Sequence, residues 1–177
     1  DARMNGCELP VVINSGSGNQ GLTVSVPLII YAEREHLDKE KLYRALVISN
    51  LTAIHLKTEI GRLSAFCGAV SAGAACGAGL AYLKDASEEV MNHTIVNALA
   101  ITSGIICDGA KASCAAKIAV SVEAGILGYD MYMNGQQFYG GDGIISKGIE
   151  NTIHNIGVLG SQGMASTDQE IIKIMCE

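Results

Sequence analysis

Apolar residues recur at the spacing of helix faces along most of the chain. Between residues 39 and 60 they fall on one stripe, which predicts a long helix, and Asp38 stands where an N-cap is expected. The same pattern predicts helices at 22–35, 90–106, 115–134, 146–160 and 167–175. Pro27 is expected to interrupt or begin the first of these helices, Ser87 to begin the helix at 90–106, and Thr167 with Glu170 to cap the last.

The segment 64–83 contains no charged residue and is long enough to span a bilayer. Its residues are mostly Ala, Gly, Ser and Cys, which are weakly hydrophobic for a membrane helix. We therefore expect a central helix that other helices surround on every side, and no membrane association.

These elements predict a single all-α domain over residues 1–177, with six or seven helices packed through small residues. At most one short strand is expected, in the β-rich run at 9–13. The chain opens on Asp1 without an initiator Met and without a secretory signal. We expect a cytoplasmic domain that lacks the N-terminal part of a longer protein.

Composition narrows the possible partners. The chain has 21 Gly, no Trp and only two Phe, so it has little apolar area to bury per residue. Burial against another domain, or against a second copy in a homo-oligomer, is therefore expected. A net charge of −6 and the lack of a basic patch argue against nucleic-acid binding.

A glycine-rich turn lies at residues 15–21. Gly16, Gly18 and Gly21 match the dinucleotide fingerprint, but a helical pattern follows where a second strand would be needed. Such a turn before a helix still presents backbone N–H groups to an anion, and a carboxylate would fit. Ser15, Ser17 and Asn19 are the candidate side-chain donors, and the alternative is a tight turn that only caps a helix.

Six cysteines stand in a chain predicted to be cytoplasmic, where thiols stay reduced. Cys76 fits a core position, whereas Cys107 and Cys114 flank a glycine-containing turn. Together with Cys67 they would suit an iron–sulfur cluster with one open iron, or a zinc ion with one further ligand. Buried thiols without a metal are the other interpretation, since no Cys-x-x-Cys occurs.

Charged residues near these motifs have a functional and a simpler interpretation. Lys57 and Arg62 could neutralise a cluster or a carboxylate, although a solvated face is the simpler prediction. Lys111 lies within the Cys107–Cys114 turn and could act electrostatically there. His55 could approach a substrate, and the alternative is an ordinary helix histidine.

Three motifs in order, at 15–21, 57–68 and 106–114, resemble the L-cysteine desulfidase family, which is related to the alpha chain of iron–sulfur L-serine dehydratases. The resemblance extends over essentially the whole chain. It implies a [4Fe–4S] cluster on Cys67, Cys107 and Cys114 with one iron open to substrate, and no pyridoxal phosphate.

The implied reaction is β-elimination from the small amino acid L-cysteine, giving pyruvate, ammonia and sulfide. Deamination of L-serine at the same site is the alternative, and a non-catalytic helical zinc or structural domain is another. The implied substrate-binding residues are Ser15, Ser17 and Asn19, which would hold the carboxylate.

The family's proton-abstracting group is a cysteine in the N-terminal part of the longer protein, and no segment here matches it. Cys7 is not an obvious equivalent, which leaves His55 as the candidate base within this chain. We therefore expect the chain alone to be inactive or weakly active. Cys176, next to the C-terminus, is a candidate to occupy the open iron and block substrate.

Overall fold

The computed structural model describes all residues, 1–177, and contains seven α-helices and no strand. The predicted all-α class is therefore confirmed. The helices are α1 Gly18–Arg34, α2 Lys39–Ile60, α3 Gly68–Leu83, α4 Glu88–Thr102, α5 Ser113–Met133, α6 Ile149–Val158 and α7 Ala165–Cys176. A 3₁₀ turn, Ala2–Asn5, precedes α1, and a π-helical turn, Leu159–Gly163, joins α6 to α7.

Helix α3 lies at the centre of the molecule and packs against α1, α2, α4 and α5. Every residue of α3 is buried except Gly68 and Tyr82. This confirms the prediction of a helix surrounded on all sides. No helix combines the length and apolar character that a bilayer span requires.

Glycines allow the backbones of α3 and α5 to touch. A Cβ atom added to Gly77 would lie 2.8 Å from the Cα of Gly125, and one added to Gly73 would lie 2.3 Å from the carbonyl oxygen of Ser121. Gly73 and Gly77 are four residues apart, so they share one face of α3. The small residues of the sequence are thus used where two helices meet.

Large side chains form the main core on the other faces of α3. The main core cluster includes Leu56, Phe66, Leu99 and Ile156, which are nearly inaccessible to solvent. It joins α2, α3, α4 and α6 beneath the N-terminal end of α3.

Helix starts follow the predicted caps at two positions. The Asp38 carboxylate accepts hydrogen bonds from the N–H groups of Glu40 and Lys41, and the Ser87 hydroxyl accepts one from Val90 N–H. The prediction for the last helix was wrong, because α7 begins at Ala165 and Thr167 lies inside its first turn. The π-helical turn runs directly into α7. Backbone carbonyl oxygens therefore accept the hydrogen bonds that a side-chain cap would otherwise accept from the first N–H groups of α7.

One expectation near the N-terminus was also wrong, and the optional strand is absent. Helix α1 begins at Gly18 and continues through Pro27 without interruption. The β-rich run at 9–13 forms no strand, and the side chains of Leu9, Val12 and Ile13 remain exposed. A strand needs a partner for its backbone groups, and the chain offers none at this position.

We predict that Gly77→Ala destabilises the protein by about 1–3 kcal/mol, because the new methyl group forces α3 and α5 apart. The midpoint of urea unfolding should fall accordingly. Gly104→Ala is the matched control, since a Cβ there meets no atom within 4 Å and its midpoint should stay close to wild type. Equal midpoints for the two variants would contradict the packing described above.

Candidate active site

The three candidate ligand cysteines lie at the ends of different helices. Cys67 is the N-cap of α3, Cys107 follows α4, and Cys114 is in the first turn of α5. Two short segments pair antiparallel to bring the first two together: Cys67 N–H donates to Ile105 O at 3.2 Å, and Cys107 N–H donates to Ala65 O at 2.7 Å. Backbone pairing therefore fixes the separation of Cys67 and Cys107.

The turn between Cys107 and Cys114 folds back on itself. Gly109 has a φ of 88°, a left-handed conformation that favours glycine. The Cys114 thiol donates a hydrogen bond to Gly109 O at 3.3 Å. This turn returns the third thiol to the side of the first two.

One cavity of about 230 Å³ joins these thiols to the glycine-rich turn. Cys67, Cys107 and Cys114 line it together with Ser17 and Asn19. Ser15 does not line the cavity, and its buried hydroxyl has no hydrogen-bond partner. The fold thus brings together the two motifs that the sequence placed about 50 residues apart.

The glycine-rich turn presents backbone donors to the cavity. The Ser17 hydroxyl accepts from Gln20 N–H at 3.1 Å, and Asn19 Oδ1 accepts from Arg3 Nε–H at 2.9 Å. The N–H groups of Gly18 and Asn19 have no acceptor within the chain, as expected in the first turn of a helix. Asn19 and Arg3 line the cavity whereas Gly18 does not, so the free Asn19 N–H and the Arg3 guanidinium form an environment suited to a carboxylate.

The cavity lining carries positive charge only. Arg3, Lys57, Arg62 and Lys117 line it, and no Asp, Glu or His does. This contrasts with the net charge of −6 for the whole chain. The arrangement favours anionic occupants.

Lys57 lies in the interior, so the expectation of a solvated face was wrong. It is only 5% exposed and has no hydrogen-bonding or ionic partner in the chain. Burial lowers the pKa of its ammonium group, and the thiols of Cys107 and Cys67 act in the opposite direction. The Lys57 side chain thus lies on the buried face of α2, borders the cavity and has no ionic partner within the chain.

Lys117 is held differently. Its ammonium group pairs with the Asp108 carboxylate and donates to Ile106 O at 3.1 Å. The hydrogen bond that the Lys117 ammonium group donates to the Asp108 carboxylate lowers the pKa of Asp108. Lys117 therefore ties the Cys107–Cys114 turn to α5 with its own charge already balanced.

The thiols differ in their surroundings. Burial raises the pKa of Cys67, while the N–H groups of Ala69 and Val70 at the start of α3 favour its thiolate. Burial raises the pKa of Cys76 to about 12, and its side chain packs in a separate core cluster with Leu28 and Leu80. Cys76 is thus the core residue that the sequence predicted.

Several other candidates lie outside the cavity. His55 is exposed on α2, and its Nε2 lies 2.8 Å from an oxygen of Glu150. Lys111 is exposed and does not line the cavity. Cys176 is exposed at the end of α7, where the neighbouring Met175 side chain reaches Gly109.

Sequence reasoning missed two of the lining residues. Lys117 follows Cys114 by three positions, a spacing that places both on one face of α5 and that could have identified it. Arg3 lies in the 3₁₀ turn that precedes α1, and only the tertiary fold carries it to the glycine-rich turn. No local pattern indicates it.

The donor set fits an iron–sulfur cluster better than a single ion. No three His, Cys, Asp or Glu side chains surround a position for one metal ion, as a zinc site would require. A cluster attaches its thiolates to different irons and so accepts wider separations. The three thiols are free and line one cavity together with cationic side chains.

Comparisons with known proteins identify the family to which the chain belongs. The model of the serine dehydratase alpha chain family matches residues 1–173. Relatives include UPF0597 proteins of Desulfitobacterium hafniense, 67% identical over 99% of this chain and 41% of that protein, and of Treponema denticola, 55% identical over the same shares. This chain thus spans about two fifths of the length of these relatives, and no solved structure matches it. The chain belongs to the serine dehydratase alpha chain family.

Proposed function

We propose that this chain is the cluster-binding domain of an iron–sulfur lyase that eliminates sulfide from L-cysteine, giving pyruvate and ammonia. One observation carries the proposal: three cysteines and the anion-binding turn of α1 line a single cavity whose charged residues are all cationic. Membership of the serine dehydratase alpha chain family supports a lyase of this type.

Cys67, Cys107 and Cys114 would hold a [4Fe–4S] cluster in this proposal. When bound, the cluster would supply an open iron as a Lewis acid for the leaving group. The rest of the chemistry depends on the protein, which must hold the substrate, exclude competing orientations and accept the Cα proton.

The substrate carboxylate would bind at the glycine-rich turn. Ser15, Ser17 and Asn19 were the candidate contacts, and the free N–H group of Asn19, which lines the cavity, supports this location. Ser17 and Asn19 would act mainly by shaping the turn, since their side chains already have partners. The guanidinium of Arg3 would add the charge that a carboxylate needs.

The choice between cysteine and serine depends on the leaving group. Both substrates present the same carboxylate and amine to the turn. A thiolate is the softer ligand and suits iron held by sulfur, which favours L-cysteine. The family name favours L-serine, which remains the second candidate.

The lining contains no carboxylate or imidazole that could accept the Cα proton. We propose that the base belongs to the remaining part of a longer protein, such as the relatives that extend well beyond the matched region. The cavity of this chain would then hold the cluster and the carboxylate only.

Anaerobic reconstitution with iron and sulfide tests the cluster. We expect about four irons and four acid-labile sulfides per chain, with serine variants of Cys67, Cys107 and Cys114 each losing most of both. Cys7→Ser is the control, since Cys7 is exposed and does not line the cavity. A folded wild-type chain that takes up no iron would refute the proposed cofactor.

The reconstituted chain alone is expected to release no pyruvate and no sulfide from L-cysteine, because the base is absent. The longer relative from Desulfitobacterium hafniense, assayed beside it, should release both and should have a higher kcat/KM for L-cysteine than for L-serine. Turnover by this chain alone would show that the base lies within it. A preference of the relative for L-serine would contradict L-cysteine as the substrate and would support the dehydratase reaction instead.

A further inference from the structure

The charge of Lys57 has no counterpart in the protein. Its side chain is 95% buried by area, and no carboxylate, hydroxyl or carbonyl oxygen bonds its ammonium group. An unpaired charge in the interior is costly and persists where another group balances it. An anionic occupant of the cavity that Lys57 lines would supply this balancing charge.

Position within the cavity indicates which occupant this is. Lys57 lines the same cavity as Cys107 and Cys67, whose thiolates would oppose the lowering of its pKa by burial. Arg3, in contrast, donates to Asn19, and the Cβ and Cγ of Arg62 lie near Gly16, so both residues border the glycine-rich turn. The cavity thus has a cysteine end with Lys57 and a carboxylate end with two arginines.

Lys117 cannot serve in place of Lys57, although it also lines the cavity. Its ammonium group is paired with Asp108, so the pair adds no net charge near the thiols. Lys57 is the uncompensated cation at the cysteine end.

We propose that Lys57 is the charge partner of the thiolate-bound cluster, a positioning residue that stabilises the negative site and sets its reduction potential. This inference rests on the proposed function, because it assumes that Cys67, Cys107 and Cys114 bind a cluster. Three thiolates bring more negative charge than an oxidised cluster core brings positive charge, and one buried ammonium group offsets the excess. A reduced cluster carries one more electron, so the same ammonium group stabilises the reduced form more.

The test compares wild type with Lys57→Met, Lys57→Arg and Lys39→Met after anaerobic reconstitution. Met keeps the length of the side chain without its charge, and Arg keeps the charge. Lys39 is exposed at the start of the same helix, about 27 Å from Lys57 along the axis, so it controls for loss of a distant charge.

Lys57→Met should lower the ratio of reduced to oxidised cluster about tenfold at a fixed potential. For a one-electron couple this equals a shift of about 59 mV to lower potential. Lys57→Arg and Lys39→Met should stay close to wild type. An unchanged potential in Lys57→Met, or an equal shift in Lys57→Arg, would overturn the inference while leaving the cluster itself established.

A second measurement does not require the cluster. In the metal-free chain, Lys57→Met removes a buried unpaired charge, so its urea midpoint should equal or exceed that of wild type. A lower midpoint would show that Lys57 has a stabilising partner within the protein, which contradicts the inference. If wild type binds no iron at all, the proposed cofactor fails, and the role of Lys57 fails with it.

Discussion

The structure depends on the burial of a helix that has no polar face. Helix α3 contains no charged residue, and other helices cover it on almost every side. Only small side chains permit this, because Gly73 and Gly77 let α5 approach to backbone contact. The consequence for the site is geometric: the N-terminal end of α3, where Cys67 is the N-cap, is held rigidly at the wall of the cavity.

The other ligand segments are positioned relative to that end. The backbone pairing of residues 65–67 with 105–107 places Cys107, and the turn through Gly109 places Cys114. Helix α2 contributes Lys57 from its last turn, and α1 contributes the turn that follows Asn14. Five separate segments thus meet at one cavity, each anchored by a packed helix rather than by a flexible loop.

Much of this could be predicted from the sequence, for identifiable reasons. Caps such as Asp38 and Ser87 are local, and the absence of charge in 64–83 leaves burial as the simplest outcome. The three cysteines and the glycine-rich turn were recognisable as motifs, although their meeting in one cavity depends on tertiary packing. Lys57 was expected on a solvated face because lysine is charged, although its position within the helix indicated burial.

The position of Lys57 within α2 did indicate that its side chain is buried. It follows Ala53 by four residues and precedes Ile60 by three, and both are buried, so Lys57 lies on the core stripe of α2. The β-rich run at 9–13 forms no strand because β propensity has no effect without a pairing partner. Arg3 was beyond prediction, since only the folded chain brings the first residues to α1.

The electrostatics of the cavity give a physical reason for the division of chemistry that we propose between this chain and the rest of a longer protein. Four cationic side chains line it, so an ionised carboxylate introduced among them would pair with a cation and be held unprotonated by it. Such a group would be a weak base, and it would also reduce the positive potential that, in the proposed function, would attract a substrate carboxylate and a thiolate-bound cluster. A lining without Asp or Glu keeps that potential intact. In the proposed function, the same lining would favour binding of both anions, and the group that accepts the Cα proton would approach from outside it.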